Sequence, residues 1–503
     1  MTNSIRSIIK MQRKINLILA IFLLPAILFA QHRGDNLTFQ GFPLNNNSGV
    51  KAIALGGAFT SQTGDVNSLF YNPAGLADIE NLQISIGANS YSKLWRENQA
   101  YRPNRMFWTM AFYLEGLYIP DPKNNGKWDY ELAQDSAYIV TPPALGLEPF
   151  SEEAADWQRK VDDFGLNNIA AAYPITISGH KVVVSAAYSR NAFLDFDRND
   201  TYLDPHIGYD EYGVVQRVVT DTVRFSWSRF TRKRDGHVQN ITAGLAYNIT
   251  EKIKVGLSMN FLNGKTTDFQ SLNRVGYFDI AKDNRFRFSY DTLDVAISGD
   301  SKFKATNFNI GAVIKLERMS LGFNIFTPYT LTREWNTAAI TTNPAGATTT
   351  NNSAEDKFEI PASFSFGASI TPIDQFTISL DYQIGNYSQG KFNLGQADST
   401  QRDWIDQSDL RCGLEYRPFA FLSLLAGYRY TTETFVPDGA AIKDRGPAAT
   451  SYTLGASIKL FQLGRLDIAY AMQRLKYYDS YFSNTNYVFE SLNNFLVGYA
   501  IEF

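Results

Sequence analysis

The feature that most constrains this chain is a period-two alternation that recurs in runs of about ten residues from Leu82 to the C-terminus. In the last run, Phe495, Val497, Tyr499, Ile501 and Phe503 fall on one side, and Asn494, Leu496, Gly498, Ala500 and Glu502 on the other. Residues 376–384 and 466–473 alternate in the same way. Successive side chains of a strand point to opposite faces, so each run predicts a strand with two unlike sides.

The connections decide what the strands build. Six are short, at 176–180, 248–252, 316–319, 371–374, 417–418 and 461–464. Seven are long, at 92–166, 191–237, 263–305, 328–358, 385–408, 431–450 and 476–492. Fourteen strands result: 82–91, 167–176, 181–190, 238–248, 253–263, 304–315, 319–327, 359–370, 375–384, 409–417, 419–430, 451–460, 464–474 and 493–503. An even strand number with short turns at one end and long loops at the other is the asymmetry of an outer-membrane barrel. The expected fold is therefore all-β, a 14-stranded antiparallel transmembrane β-barrel with an N-terminal plug in its lumen. Closure leaves no unpaired edge in lipid. Charged residues make up 19% of the chain and aromatics 14%, which suits a lipid-facing wall better than a soluble domain, where about a quarter is charged. A secreted sandwich or propeller would call for a blade-length repeat, and none is evident.

Arg6, Lys10, Arg13 and Lys14 precede an apolar core, Leu17 to Ala30, which reads as a signal peptide over residues 1–30. Residues 31–81 form the plug segment and 82–503 the barrel, with the bacterial outer membrane as the expected location. No later stretch holds 18 apolar residues, so no transmembrane helix is expected. Cys412, the only cysteine, excludes an intramolecular disulfide and a cysteine zinc site. Its parity places it on the lipid face with Leu410, Leu414 and Tyr416. The lumen carries Asp381, Arg411, Glu415, Arg429, Lys459 and Asp467, while Tyr91, Tyr173, Tyr188, Tyr247, Tyr428 and Tyr430 suit the interfacial girdles.

His32, His180, His206 and His237 lack ligand spacing, and the acidic cluster Asp204–Glu211 reads as solvated loop charge in preference to a calcium-chelating loop. No nucleophile elbow, phosphate loop or His-Glu-x-x-His pattern occurs. No metal, cofactor or catalytic residue is expected, and the histidine supply argues against axial haem ligation. A net charge of −3 gives no nucleic-acid footprint.

Two stretches stand outside the strand pattern. Residues 106–120 carry Phe107, Trp108, Phe112, Tyr113 and Leu117 within the first long loop, either as an apolar lid that captures a greasy ligand or as a small satellite core. Residues 51–77 are rich in small residues and punctuated by Gly56, Gly57, Gly64 and Gly75, with Asn72-Pro73 ending a short apolar turn at Leu69–Tyr71. A bent, semi-apolar segment of this kind needs a container. Its Asn-Pro-Ala-Gly core recurs at 343–346, inside a low-complexity run (341–353) expected to be a mobile loop. The tetrapeptide alone is therefore unspecific.

The full run from Ala54 to Ala77, A-x-G-G-A-F-x5-D-x2-S-x3-N-P-A-G-L-A, resembles the N-terminal region of the FadL family of outer-membrane transporters, which also includes toluene-type hydrocarbon channels. The matching positions are Ala54, Leu55, Gly56, Ala58, Asp65, Ser68, Asn72, Pro73, Ala74 and Gly75. The resemblance implies a hatch in the lumen, to which Gly57, Phe59 and Phe70 also contribute. It implies passive uptake of hydrophobic compounds such as long-chain fatty acids or aromatic hydrocarbons, with lateral release into the membrane at a kinked strand. The expected partners are outer-membrane lipid, a hydrophobic ligand, and the barrel assembly machinery, which would read the strand ending in Phe503. A competing reading makes the barrel a docking or shuttle component of a protein secretion system. A general porin is disfavoured because the plug would obstruct it.

Overall fold

The computed structural model describes residues 48–101, 157–207, 222–281, 286–289, 293–343, 345–395, 404–437, 444–460, 464–480 and 484–503. The leader and the aromatic run at 106–120 lie outside these residues. Fourteen strands form the wall. They are β1 Gln83–Tyr101, β2 Trp157–Ile177, β3 His180–Ile207, β4 Thr222–Asn248, β5 Ile253–Ala281 and β6 Leu293–Lys315. Three interrupted strands follow: β7 (Met319–Phe326, Tyr329–Asn343), β8 (Gly346–Ile360, Ser363–Ile373) and β9 (Phe376–Gly385, Lys391–Asn393). The ring ends with β10 Gln407–Phe419, β11 Leu422–Thr432, β12 Ala448–Lys459, β13 Arg465–Ser480 and β14 Asn484–Glu502. A four-residue strand, Phe286–Ser289, folds back onto β5. All neighbours are antiparallel, and β1 pairs with β14 from Gln83↔Glu502 to Tyr101↔Asn484, which closes the barrel.

The outward face carries a band of half-exposed apolar side chains, among them Leu245, Leu257, Ile310, Phe366, Leu454 and Phe495. In water each would forfeit about 25 cal/mol per Å² of apolar surface, so the band matches lipid. Cys412 lies half-buried on this outer face, between the exposed Leu414 and the partly exposed Leu410, as expected from parity.

The wall is taller than the alternation implies. β3, β4 and β5 have 28, 27 and 29 residues, whereas β11 and β12 have 11 and 12. At about 3.3 Å per residue the long strands reach roughly 90 Å, far beyond an apolar band of about 25 Å even when tilted. Much of the ranges 191–237, 263–305 and 328–358, expected as loops, is therefore strand. The reason is physical: above the lipid the outer face turns polar, as at Lys265 and Thr267, so pairing continues after the alternation of hydrophobicity has faded.

Two further expectations shift. The run 341–353 is not an irregular loop but the tip of the β7–β8 hairpin, where Asn343 pairs with Gly346 and the Asn343 side chain accepts the Ala345 N–H at 2.9 Å. The β10–β11 turn falls after the Phe419↔Leu422 pair, beyond Arg417-Pro418. A register shift between Tyr416 and Phe419 absorbs the proline, which cannot donate to the ladder.

Small and polar residues fill most lumen positions, with instructive exceptions. Leu425 and Leu496 point inward because they pack on the N-terminal segment. Phe193, Phe303, Leu331, Phe358 and Trp404 form a second buried apolar cluster higher in the barrel. Tyr91 lines the lumen and not an interfacial girdle.

Candidate functional site

Residues 48–79 are almost wholly buried inside the ring. Val50–Ala54 make one helical turn, α1, which Gly56 and Gly57 end at φ 66° and 82°, a backbone region natural to glycine. Two short 3-10 helices follow, Val66–Phe70 and Pro73–Asp78. Each starts on an acceptor side chain: Asp65 takes the Asn67 N–H at 2.9 Å and Asn72 takes the Ala74 N–H at 3.1 Å. Gly75 sits where a Cβ would lie 2.4 Å from the Gln62 carbonyl oxygen and against Ser68, so the two helices cross at a glycine. Val50, Leu55, Phe59, Leu69, Phe70 and Leu76 form the core of the segment.

A belt of wall glycines receives this segment. Gly87, Gly244, Gly256, Gly311, Gly322, Gly367, Gly413, Gly427, Gly455 and Gly498 lie on ten different strands, and a Cβ on each would press on the segment. At Gly427 it would stand 2.1 Å from the Gly56 nitrogen, at Gly256 2.3 Å from the Ala74 nitrogen, and at Gly322 2.1 Å from the Thr60 oxygen. Several are direct cross-strand pairs, such as Gly413↔Gly427 and Gly87↔Gly498. The segment thus lies against bare backbone on most sides.

Polar pins complete the fit. Asp381 on β9 accepts the N–H groups of Phe59 and Thr60 at 2.8 and 2.7 Å. Asn72 donates to the Ala312 and Phe323 carbonyls at 3.1 and 3.3 Å. Asp65 pairs with Arg465 at 2.7 Å, Lys51 with Glu415 at 3.3 Å, and Asp78 with Lys315 at 2.9 Å and with Lys254. Burial raises the Asp78 pKa, but the hydrogen bonds from Lys254 and Lys315 outweigh it and hold the carboxyl down at about 2. Asp65 is likewise buried yet lowered, by Arg465 and Lys51.

Above the segment lies a partly open cavity of about 120 Å3. Ile53, Gly56, Gly57 and Tyr71 make its floor, and strands β1, β11, β12, β13 and β14 much of its wall. It reaches Asn167 and Arg190, where the wall parts. The β2–β3 ladder runs from Ile177↔His180 only to Asn168↔Ser189. Beyond that point β2 stays with β1 down to Trp157, and β3 stays with β4 to Ile207. Side chains lace the seam. Arg190 grips Asp163 with two bonds at 2.8 and 2.9 Å, and Arg159 crosses to Asp235 at 2.6 and 2.5 Å.

The sequence-expected hatch residues Gly56, Gly57, Ala58, Phe59, Asp65, Ser68, Phe70, Asn72, Pro73, Ala74 and Gly75 all fall within this buried segment. Phe107, Trp108, Phe112, Tyr113 and Leu117 lie outside the described residues. Sequence reasoning missed the glycine belt, the seam and the upper aromatic cluster, in which Phe392 meets Trp404 edge-on at 4.8 Å. The belt had a signal: one glycine near the middle of most strands.

A family model described as outer membrane protein transport protein (OMPP1/FadL/TodX) matches residues 220–493. Among solved structures, a Pseudomonas aeruginosa FadL homologue superimposes with a TM-score of 0.58 at 13% identity, covering 91% of this chain and 98% of its own. The P. putida toluene transporter TodX gives 0.53 at 13% identity, with 91% and 99% covered. The Ralstonia pickettii toluene transporter TbuX gives 0.50 at 16% identity, with 91% and 99% covered. No curated protein sequence matches significantly.

Proposed function

The chain belongs to the family of outer membrane transport proteins (OMPP1/FadL/TodX), and from that membership we propose that it imports hydrophobic compounds through a lumen closed by residues 48–79, releasing them sideways at the β2–β3 seam. It is an outer-membrane β-barrel of a family of transport channels. The observation that carries the lateral route is the cavity itself, whose floor is the N-terminal segment and whose side is the end of the β2–β3 ladder. An open aqueous pore would not serve a greasy solute, which loses about 25 cal/mol per Å² of its surface on exposure to water. An apolar resting place above the floor, a plug that blocks the aqueous path, and a break in the wall toward lipid suit such a solute. Ile53, Ala471 and Leu492 on the cavity wall supply the first element.

The test is to staple the seam. Asp163→Cys and Arg190→Cys in a Cys412→Ala background, bridged by a short bismaleimide, should abolish cellular uptake of a fluorescent long-chain fatty acid. The unbridged variant should retain uptake. Undiminished uptake through the stapled barrel refutes lateral release, and absent uptake by the wild type refutes import of that compound class.

A further inference from the structure

We infer that the cavity above the N-terminal segment selects an amphiphile with an uncharged, hydrogen-bonding head, such as a secondary amide, over both a bare hydrocarbon and a carboxylate. The inference rests on the import reading and narrows its substrate.

Charge is already balanced at the site. Arg190 is matched by Asp163 through two hydrogen bonds. Arg411 and Arg429 both bind Asp409, at 2.6 and 2.7 Å, and Asp381 stands directly across the ladder from Arg411. Three guanidinium groups therefore face three carboxylates. An anionic head entering here gains no unmatched cation and would have to break an existing pair to bind one.

Hydrogen-bonding capacity, in contrast, is left over. The side chains of Asn89 on β1, Gln473 on β13 and Asn494 on β14 line the cavity, and among the described residues none of the three makes a side-chain hydrogen bond. Asn494 is 7% exposed, and its Oδ1, fully buried, lacks a donor. Each carboxamide offers both an acceptor oxygen and N–H donors. A hydrocarbon seated here leaves all of them dry, which costs each buried group enough to weaken binding about tenfold. A carboxylate brings acceptors only and cannot satisfy the Asn494 oxygen. A head carrying both N–H and C=O satisfies both kinds of group. Ile53, Ala471 and Leu492 on the same cavity provide apolar contact for the attached chain.

Three probes of equal chain length separate the classes: N-methyldodecanamide, dodecanoate and dodecane. Their binding to the full-length barrel in lipid nanodiscs is measured by radiolabel retention above empty discs. The amide should bind at least tenfold more tightly than dodecane, and more tightly than dodecanoate at pH 7.5. Asn494→Leu and Gln473→Leu should each weaken amide binding several-fold while leaving dodecane unchanged or improved. Heat-modifiable gel migration reports whether each variant keeps its barrel. Equal or tighter binding of dodecane, tighter binding of dodecanoate, or leucine variants that treat all probes alike would overturn the head-group assignment while leaving import intact. Failure of all three probes to bind the wild type overturns the import reading together with this one.

Discussion

Asp381 gives the sharpest test of the idea that the N-terminal segment is a closed hatch. Its carboxylate is 1% exposed and takes two backbone N–H groups of the segment at 2.8 and 2.7 Å. Hydrogen bonds to a charged group contribute about 1.5–3 kcal/mol each, and a buried donor left without its acceptor costs about 1–3 kcal/mol. Asp381→Ala removes the acceptor and strands both N–H groups, so the closed state should lose roughly 3 kcal/mol. In an open state water satisfies the same groups, so the loss falls on closure alone. With about 1.4 kcal/mol per tenfold change, the open fraction should rise roughly a hundredfold. Asp381→Asn keeps a neutral acceptor and should produce a smaller rise, about tenfold. Single-channel recording in planar bilayers reads this directly, as brief conductance steps of a normally silent barrel. The order wild type, Asp381→Asn, Asp381→Ala, with full deletion of 48–79 the leakiest, is the expected result. A silent Asp381→Ala barrel, with deletion equally silent, would show that the segment does not block the path.

The remaining predictions concern the same closure. Gly427→Val places side-chain atoms where the Gly56 nitrogen already lies 2.1 Å from the first carbon, so it should fold as a barrel but leak. Gly179→Ala, in an open turn at φ 81° with nothing within 4 Å, should cost about 1 kcal/mol of stability without any leak, as thermal melting and conductance would report. Acid should release the Asp78 anchor only at low pH. The Asp78 carboxyl is depressed to about 2 from 3.8, so its anchoring is complete above pH 4 and is lost as pH falls toward 2. Lys254→Met should therefore shift the acid release of this anchor upward, as the pH dependence of conductance would show. Asp65→Arg or Arg465→Asp alone should each raise the leak about tenfold or more, and the double exchange should recover part of the loss, as a double-mutant cycle would measure.

The barrel was legible because lipid imposes its own period on the sequence. Where the outer face meets hydrocarbon, as at Phe495 and Val497, alternation is strict and the strand is easily read. Where β5 rises above lipid, Lys265 and Thr267 carry no such mark, and pairing with β4 and β6 becomes visible only in three dimensions. The segment at 54–77 was legible as a whole and not by its tetrapeptide. Asn72 and Asn343 in fact make the same local turn, each side chain accepting the N–H two residues on. One turn leads into a 3-10 helix and the other into a hairpin, so the letters encode only the turn. The residues matched by the family model, 220–493, do not include 54–77. Barrel and N-terminal segment therefore point to the same family on separate evidence. The cavity was not legible, because Asn89, Gln473 and Asn494 look like ordinary lumen filling until their missing partners are seen.

Asn167 joins the two halves of the proposed mechanism. It is the additional residue of β2 where the register against β1 shifts between Gly87 and Ala88, one position beyond the last β2–β3 pair, Asn168↔Ser189. Its Oδ1 accepts the Gly49 N–H at 3.3 Å, at the entry to α1, and its neighbour Asn168 donates to Asn67 at 3.2 Å. Gly49 itself holds φ 86°, and a Cβ there would stand 2.9 Å from the Asn67 side chain, so this entry requires glycine. A ligand pressing on Ile53 or Tyr71 from the cavity would have to move α1, and α1 is tied through Gly49 to the bulge at the head of the seam. On the proposed lateral route, opening of the floor and loosening of the wall would then be one displacement. Asn167→Ala should uncouple them: uptake should fall because the seam no longer responds, while the silent conductance of the closed hatch persists, held by Asp381 and the glycine belt. If Asn167→Ala instead leaks and transports normally, floor and seam move independently and the coupling is absent.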